Sequence, residues 1–310
     1  MIFEDISRLK NLSNKEIKAL FGNIQKSKTP HPKRGANMML NPLKLEHLNR
    51  LDELEVDMIT INLEDAIAPQ RKKEALYNTA LFLSHLQNSK SFIIVRINEL
   101  REGGVQEIQF LNNFSFDAIR LPKVKNSSDV AKTLDILDNN KELHLSLETK
   151  EAFNTIGTLK IDSRVTTLNL GILDLLASLD IPQDRLKLDN PSIEYILAKF
   201  LIESKSACLH PISFMYQDYN NLEEFSAWCK KERLMGYESK ACMGPKQVAI
   251  AQKLFAPSLD ALHKAKTIKE LFEQNSKKGI HGFMHEEYGF IDEPIYKDAL
   301  NLFKKYSQEA

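Results

Sequence analysis

From about residue 37 to about residue 245, short apolar runs alternate with amphipathic or polar stretches, and this alternation limits the fold more than any other feature of the chain. Strand-like runs fall at 38–40, 58–63, 92–97, 118–124, 144–147, 166–170, 206–209 and 240–243. Helix-like segments separate most of them, at 43–53, 70–86, 127–138, 191–204 and 222–234. Runs that are nearly all apolar suit strands buried on both faces of a parallel sheet. Eight of them with intervening helices predict an α/β fold, a (β/α)8 TIM barrel, rather than an open doubly wound sheet. The first strand is not followed by a Gly-x-Gly-x-x-Gly turn, which argues against a dinucleotide-binding open sheet.

The flanks read differently. Residues 1–36 form an N-terminal helical extension. Ser13 and Glu16 have the spacing of a capping box, and Ile17, Leu20, Phe21 and Ile24 share one helical face. Residues 37–254 are assigned to the barrel as catalytic domain. Residues 255–310 are assigned to a helical C-terminal segment that caps its own barrel or completes a neighbouring subunit's site.

Charge balance removes several function classes. Lys plus Arg and Asp plus Glu both number 42, so no net basic field draws nucleic acid or an anionic membrane. No segment approaches the roughly 20 apolar residues of a membrane span. No apolar signal-peptide core precedes residue 30. The three cysteines, Cys208, Cys229 and Cys242, lack metal-ligand spacing and fit reduced thiols in a cytoplasmic protein.

In a TIM barrel the active site sits at the C-terminal ends of the strands. Here the second strand runs into Leu63-Glu64-Asp65-Ala66 and the third into Arg96-Ile97-Asn98. The fourth runs into Arg120-Leu121-Pro122-Lys123-Val124, the fifth into Glu148, and the sixth into Gly171 with Asp174 beyond. Glu148 and Asp174 carry the sharpest signal. If the fifth and sixth strands are neighbours, roughly 5 Å apart, both carboxylates emerge at one edge. Hard cations such as Mg²⁺ are held by a few carboxylates together with water and substrate oxygens.

Each of these residues also has a plain structural reading. Glu64 and Asp65 suit a strand end followed by a helix N-terminus, and Arg96 suits a structural partner for either of them. Lys123 reads as a solvated lysine, Arg164 as a surface residue before a strand, and His210 as a satisfied histidine ending strand seven. His281 and His285 have helical metal-pair spacing, but Gly282 between them weakens the helix. Cys208 and Cys242 read as small core residues inside strands.

The motifs taken together resemble a known family. Leu63-Glu64-Asp65-Ala66, Val95-Arg96-Ile97-Asn98 and Leu121-Pro122-Lys123-Val124 are followed in order by Leu147-Glu148-Thr149, Ser163-Arg164-Val165 and Gly171-x-x-Asp174-Leu175. This set is similar to the citrate lyase beta subunit family within the HpcH/HpaI aldolase superfamily. The resemblance implies a carbon–carbon lyase that uses Mg²⁺, with Mn²⁺ as the alternative ion. It acts on CoA thioesters of 3-hydroxy acids, of citryl-, malyl- or citramalyl-CoA type, and releases or consumes a 2-oxo acid. It implies that Glu148 and Asp174 are metal ligands, that Arg96 holds the oxo-acid carboxylate and the developing oxyanion, and that Glu64 and Asp65 position water and move protons. Asp292 lies in a Gly289-to-Pro294 segment similar to one that often completes a neighbouring site, which implies a homo-oligomer, a trimer or hexamer. Gly171, Ile172 and Leu173 open a helix whose backbone N–H groups can donate to a substrate carboxylate. Three other readings stay open: a metal-dependent aldolase acting on a free 2-oxo acid, a Schiff-base aldolase using Lys123, and a non-catalytic descendant that binds metal or ligand only. The last is raised by Met243-Gly244-Pro245, which stands where the family has Ile-His-Pro.

Overall fold

Parity along each strand organises the first 255 residues. A computed structural model describes residues 1–32 and 34–306. It divides into two units, Met1–Phe255 and Ala256–Ala310. In the first, β1 (Gly35–Leu40), β2 (Met58–Asn62), β3 (Phe92–Arg96), β4 (Ala118–Leu121), β5 (Glu142–Leu147), β6 (Val165–Leu170), β7 (His210–Ile212) and β8 (Ser239–Cys242) form one parallel sheet. β1 pairs with both β2 and β8, and the sheet ends at β7. The ring closes just past β7, where Ser213 N donates to Ser239 O at 3.0 Å and Ala241 N to Ser213 O at 3.0 Å. This is the eight-stranded (β/α) barrel expected from the alternation.

Side chains on a strand point alternately to its two faces. In β3, Ile93 and Val95 join the main core between strands and helices, while Phe92 and Ile94 join a smaller cluster with Met58, Ala118, Ile212 and Ala241 inside the barrel. Above that apolar plug the lumen turns polar, with Thr60 Oγ1 donating to Asn37 Oδ1 at 2.8 Å and Asn37 Nδ2 to Asn169 Oδ1 at 3.3 Å. Strand β5 is the extreme case. Leu143, Leu145 and Leu147 face the outer core, all 0% exposed, while Glu142, His144 and Ser146 alternate with them, and Glu148 follows in phase. Opposite Glu142 and His144, the register with β6 slips by one residue, because Leu143 pairs with Val165 but His144 with Thr167. Thr166 is the extra residue, and its hydroxyl donates to Glu142 Oε2 at 2.7 Å.

The N-terminal residues belong to the first unit. Ser13 caps helix Asn14–Ala19 through the Ser13/Glu16 box. Lys26 Nζ then reaches Asp117 Oδ2 at 2.8 Å with both side chains nearly excluded from water, and Thr29 N donates to Asp117 Oδ1 at 3.0 Å.

Four expectations need correction. Strand seven is not at 206–209. Helix Pro191–Ser206 runs through that stretch, and its last carbonyls are capped by Cys208 N to Lys205 O at 3.0 Å and Leu209 N to Ser204 O at 2.9 Å. Cys208 is therefore an exposed turn residue with φ +56°, not a strand residue, and His210 begins β7 rather than ending it. The C-terminal segment is not purely helical. Between helices Leu259–Ser276 and Glu293–Tyr306 it contains an antiparallel hairpin of β9 (Gly282–His285) and β10 (Gly289–Asp292). Its three-residue turn, Glu286 to Tyr288, ends on Gly289 at φ +71°, the left-handed position such turns need. His281 and His285 therefore lack a common helical face, and His285 Nδ1 accepts from the turn's Glu287 N at 3.3 Å. Within this second unit Phe272 stacks on Tyr296, ring centroids 4.5 Å apart, beside Ile268 and Ile291. No helix among the described residues is long and apolar enough to cross a membrane.

Closure of the barrel rests on a buried ion pair. Lys240 Nζ lies 2.6 Å from Glu232 Oε1, both side chains 0% exposed, and the Ser213 hydroxyl donates to the same oxygen at 2.6 Å. Removing one partner of such a pair strands a buried charge, so Glu232→Ala should lower unfolding free energy by about 3–5 kcal/mol. Urea denaturation checks this, and the double replacement Glu232→Leu with Lys240→Met should recover most of the loss.

Candidate active site

At the C-terminal mouth of the barrel the strand ends bring charged side chains together around one guanidinium. Arg96 ends β3, next to Asn62 of β2 on one side and Arg120 of β4 on the other. Its Nη2 lies 2.7 Å from Glu64 Oε2 and 3.5 Å from Glu148 Oε2, and its Nη1 lies 3.2 Å from Asp65 Oδ2. Arg96, Glu64 and Glu148 are buried, while Asp65 is more than half exposed. Burial alone would depress the Arg96 pKa, but the surrounding carboxylates, Glu148 and Glu64 foremost, outweigh it and hold the guanidinium charged.

Those partners do not respond alike. Burial raises Glu64 to about 7, despite the opposing pull of Arg96 and with help from neighbouring Asp65. Burial also pushes Asp65 upward, but its hydrogen bond with Glu64 and the charges of Arg96 and Lys123 win, and it titrates below its ordinary range. The adjacent acids thus separate into one proton holder and one fixed anion. The loop that carries them is pinned from below. Lys72 Nζ donates to Leu63 O at 2.9 Å and to Asn98 Oδ1 at 2.7 Å, and Asn62 Nδ2 donates to Asp65 O at 2.6 Å. Ala66, next in that loop, has φ +65°, a strained backbone of the kind that concentrates at functional sites.

Glu148 is oriented from two directions. Its Oε1 accepts from Lys123 N at 2.6 Å, which Lys123 can reach because it holds φ +47°. Gly171, at the end of β6, passes so close that a Cβ there would lie 2.5 Å from Glu148 Oε2. Helix Ile172–Ser178 begins at once, with Asp174 in its first turn. Arg96, Asp65, Glu148, Gly171, Ile172, Leu173 and Asp174 line one cavity of about 400 Å³, joined by Arg120, Asn169, Ser213 and Met215.

The cavity-facing donor set fits a hard divalent cation. It offers a carboxylate fixed by backbone and an exposed carboxylate, Asp174, to which nothing among the described residues is hydrogen-bonded. Open space beside them leaves room for water and substrate oxygens, the coordination Mg²⁺ prefers.

Two further residues were assigned no role from sequence, or the wrong one. Arg120 is fully enclosed, donates through Nε to Ser146 Oγ at 2.8 Å, and faces the same cavity. Burial and the charge of Arg96 beside it lower its pKa to about 9. A charged residue inside an otherwise apolar strand was the available signal. Lys123 is no freely solvated lysine, because its Nζ lies 2.9 Å from Glu99 Oε1 and 3.5 Å from Glu64 Oε1. That hydrogen bond to Glu99 leads the causes that raise its pKa above the ordinary lysine range. Asp292 lies in the second unit, where its Oδ1 accepts from Ile295 N at 3.2 Å. His210 starts its strand, so it is absent from this mouth, and strand seven contributes Ser213 and Met215 instead. Arg164 donates to Leu137 O at 3.1 Å and does structural work between loops.

Comparison with known proteins bears on this geometry. The sequence model of the HpcH/HpaI aldolase/citrate lyase family matches residues 44–245. The chain is 26% identical over 250 residues to a (3S)-malyl-CoA thioesterase of Cereibacter sphaeroides, covering 80% of this chain and 86% of that one. It is 25% identical over 261 residues to the citrate lyase subunit beta of Haemophilus influenzae, covering 78% and 86% respectively. The fold is similar to the crystal structure of CitE from Mycobacterium tuberculosis in complex with magnesium, acetoacetate and coenzyme A. That likeness has a TM-score of 0.70 at 16% identity, over 88% of this chain and 98% of that one.

The tight passage of Gly171 past Glu148 is directly testable. Gly171→Ala must displace the carboxylate or the strand end, and should destabilise the fold by about 1–3 kcal/mol. Gly157→Ala, where a Cβ meets nothing within 4 Å, should leave the denaturation midpoint unchanged.

Proposed function

The chain belongs to the HpcH/HpaI aldolase/citrate lyase family, and from that premise we propose that it is a Mg²⁺-dependent carbon–carbon lyase. Its substrate would be a 3-hydroxy acyl-CoA thioester, of citryl-, malyl- or citramalyl-CoA type, cleaved to acetyl-CoA or an analogue plus a 2-oxo acid, or formed from them. The observation that carries the reading is the convergence of Glu148, Asp174 and Arg96 on one cavity. Glu148 and Asp174 would hold the ion, Mg²⁺ or alternatively Mn²⁺, which when bound supplies Lewis-acid polarisation and a template for the substrate's oxygens.

The chain's own residues do the rest. Arg96 donates charge-assisted hydrogen bonds to the carboxylate and carbinol oxygen of the oxo-acid half, where negative charge grows in the transition state. Arg120, beside it in register, offers a second cationic contact to the same anionic fragment. The first-turn N–H groups of Ile172 and Leu173 have no intrahelical partner and face the cavity rim. Glu64 takes the hydroxyl proton as the bond between the carbinol carbon and the acyl α-carbon breaks. The acetyl enolate that leaves is then protonated. Asp65 stays anionic and keeps Arg96 oriented.

Lys123 does not favour a Schiff-base route, because an amine held protonated by Glu99 is a poor nucleophile. We assign Asp292 to the completion of a neighbouring protomer's site in a homo-oligomer on the family resemblance, and the chain to the cytoplasm on its three cysteines without metal-ligand spacing.

Asp174→Ala should abolish Mg²⁺ binding and turnover while the barrel's far-UV circular dichroism and melting stay close to wild type. The assay follows 2-oxo acid release and free CoA thiol separately. The 2-oxo acid reports carbon–carbon cleavage, and thiol without 2-oxo acid reports thioester hydrolysis instead. Full turnover by the variant in metal-free buffer would sink the proposal.

Glu64 predicts the pH dependence. Burial raises its pKa to about 7, so it is protonated and idle as a base below that pH. The value of kcat/KM should therefore rise with pH through about 7 and then level. Glu64→Gln should remove that limb of the pH–rate profile and lower turnover by roughly 10²–10⁴-fold, the usual share of a general base.

A further inference from the structure

At the opposite, N-terminal mouth of the barrel, a second set of metal-ligating side chains comes together that the lyase reading does not use. Glu142 and His144 project into the lumen from the start of β5, two residues apart. His31 reaches them from the segment strapped beneath the barrel by Lys26 and Asp117. One ligand atom from each of His31, Glu142 and His144 lies within 4.8 Å of the other two. Glu142 Oε2 is 2.9 Å from His31 Nδ1 and 3.7 Å from His144 Nε2. Ligands spaced tetrahedrally around an ion at its usual bond lengths stand roughly 3.4 Å apart. Both distances from Glu142 Oε2 lie within about 0.5 Å of that spacing, and the third pair stays within 4.8 Å.

A second observation concerns His144 itself. It is 0% exposed, and neither of its ring nitrogens has a hydrogen-bond partner. Its 3.7 Å approach to Glu142 is too long to be one. Leaving a buried polar atom unpaired costs about 1–3 kcal/mol, so such a group calls for an explanation. An ion pair between His31 and Glu142 alone, the simpler account of the cluster, explains neither nitrogen. A cation on Nε2 explains one of them. The surroundings resemble a prepared site in two more respects. Thr166 Oγ1 donates to Glu142 Oε2 and fixes that carboxylate, as partners of metal ligands do. His31 and Glu142 keep side-chain exposures of 19% and 14%, a route for an ion from solvent.

We propose that His31, Glu142 and His144 form a second metal site, distinct from the catalytic cavity, that takes a borderline divalent cation of the Zn²⁺ class with water as the fourth ligand. Two imidazoles and one carboxylate favour such ions over Mg²⁺, which prefers oxygen donors alone. The ion would clamp the N-terminal segment onto β5. Barrel enzymes place their chemistry at the opposite, C-terminal mouth, so an ion at this end is structural.

The test uses the full chain, stripped with chelator and carrying Asp174→Ala so that the oxygen-rich site cannot compete. Zn²⁺ is titrated calorimetrically in excess Mg²⁺, bound zinc per chain is measured after desalting, and Co²⁺ is added in parallel to read ligand-field absorption. The expected result is one Zn²⁺ per chain, tetrahedral Co²⁺ bands, and a melting temperature that rises on Zn²⁺ addition. His31→Asn, at a partly exposed position, should weaken Zn²⁺ binding by at least about tenfold, the smallest loss expected even for a partner of a ligand. Glu142→Gln should do the same. In the otherwise wild-type chain His31→Asn should leave Mg²⁺-dependent turnover intact. Absence of stoichiometric zinc in the Asp174→Ala chain, or equal affinity with and without His31→Asn, overturns the proposal. Neither result touches the lyase reading, which stands or falls on Asp174 itself.

Discussion

The positive charge of Arg96 is the interaction on which the catalytic mouth depends. Three carboxylates gather around a guanidinium that water barely reaches. Without it, Glu64 and Glu148 would lose the counter-charge they share, and burying a carboxylate short of its partner is costly in a low-dielectric interior. With it, the acids are held at a shared centre yet separated in function. At Glu64 desolvation dominates, at Asp65 a hydrogen bond and two neighbouring cations outweigh it, and Glu148 accepts a backbone N–H on Oε1 while Oε2 faces the guanidinium. One cation therefore sets the positions of three groups and, through burial, different tasks for at least two of them.

The second constraint is strand parity. Because the barrel lumen is narrow and must be filled, each inward position is a commitment to packing or to chemistry. The lower lumen is committed to packing by Phe92, Met58 and Ile94. The upper lumen is committed to hydrogen bonds and charge by Asn37, Arg120 and Ser146. The buried Lys240–Glu232 pair lies elsewhere and serves closure instead, joining β8 to the helix behind it through Ser213.

Much of this was legible in the chain. Apolar strands ending in acids or arginines announced the barrel and its charged mouth, where Glu64, Asp65, Arg96, Glu148 and the stretch from Gly171 to Asp174 come together. What was not legible depended on capping and turn geometry. The Ser206-to-Leu209 stretch is apolar enough for a strand, but its amides cap a helix, so His210 was assigned to the wrong end of β7. The hairpin carrying Asp292 hid because a left-handed Gly289 cannot be told from a helix-ending glycine by composition. Arg120 stands in the sequence as a charged residue in an apolar strand, but its role depends on which face it takes, and that parity is fixed only by the closed barrel. His31 carried no signal at all, because nothing in the sequence brings residue 31 beneath residues 142 and 144.

The pattern Glu142-Leu143-His144-Leu145-Ser146-Leu147-Glu148 has a consequence for how this protein reaches its native state. Side-chain direction flips with every residue, so pairing β5 one position out of step would turn both ends of the strand inside out together. Three leucines would then crowd the lumen, and two glutamates and a histidine would face hydrocarbon. The one slip the native pairing contains, opposite Glu142 and His144, is taken up by Thr166 of β6 and leaves the phase of β5 itself unchanged. The strand thereby ties its two mouths to a single alternation: the phase that puts Glu148 at one end puts Glu142 and His144 at the other.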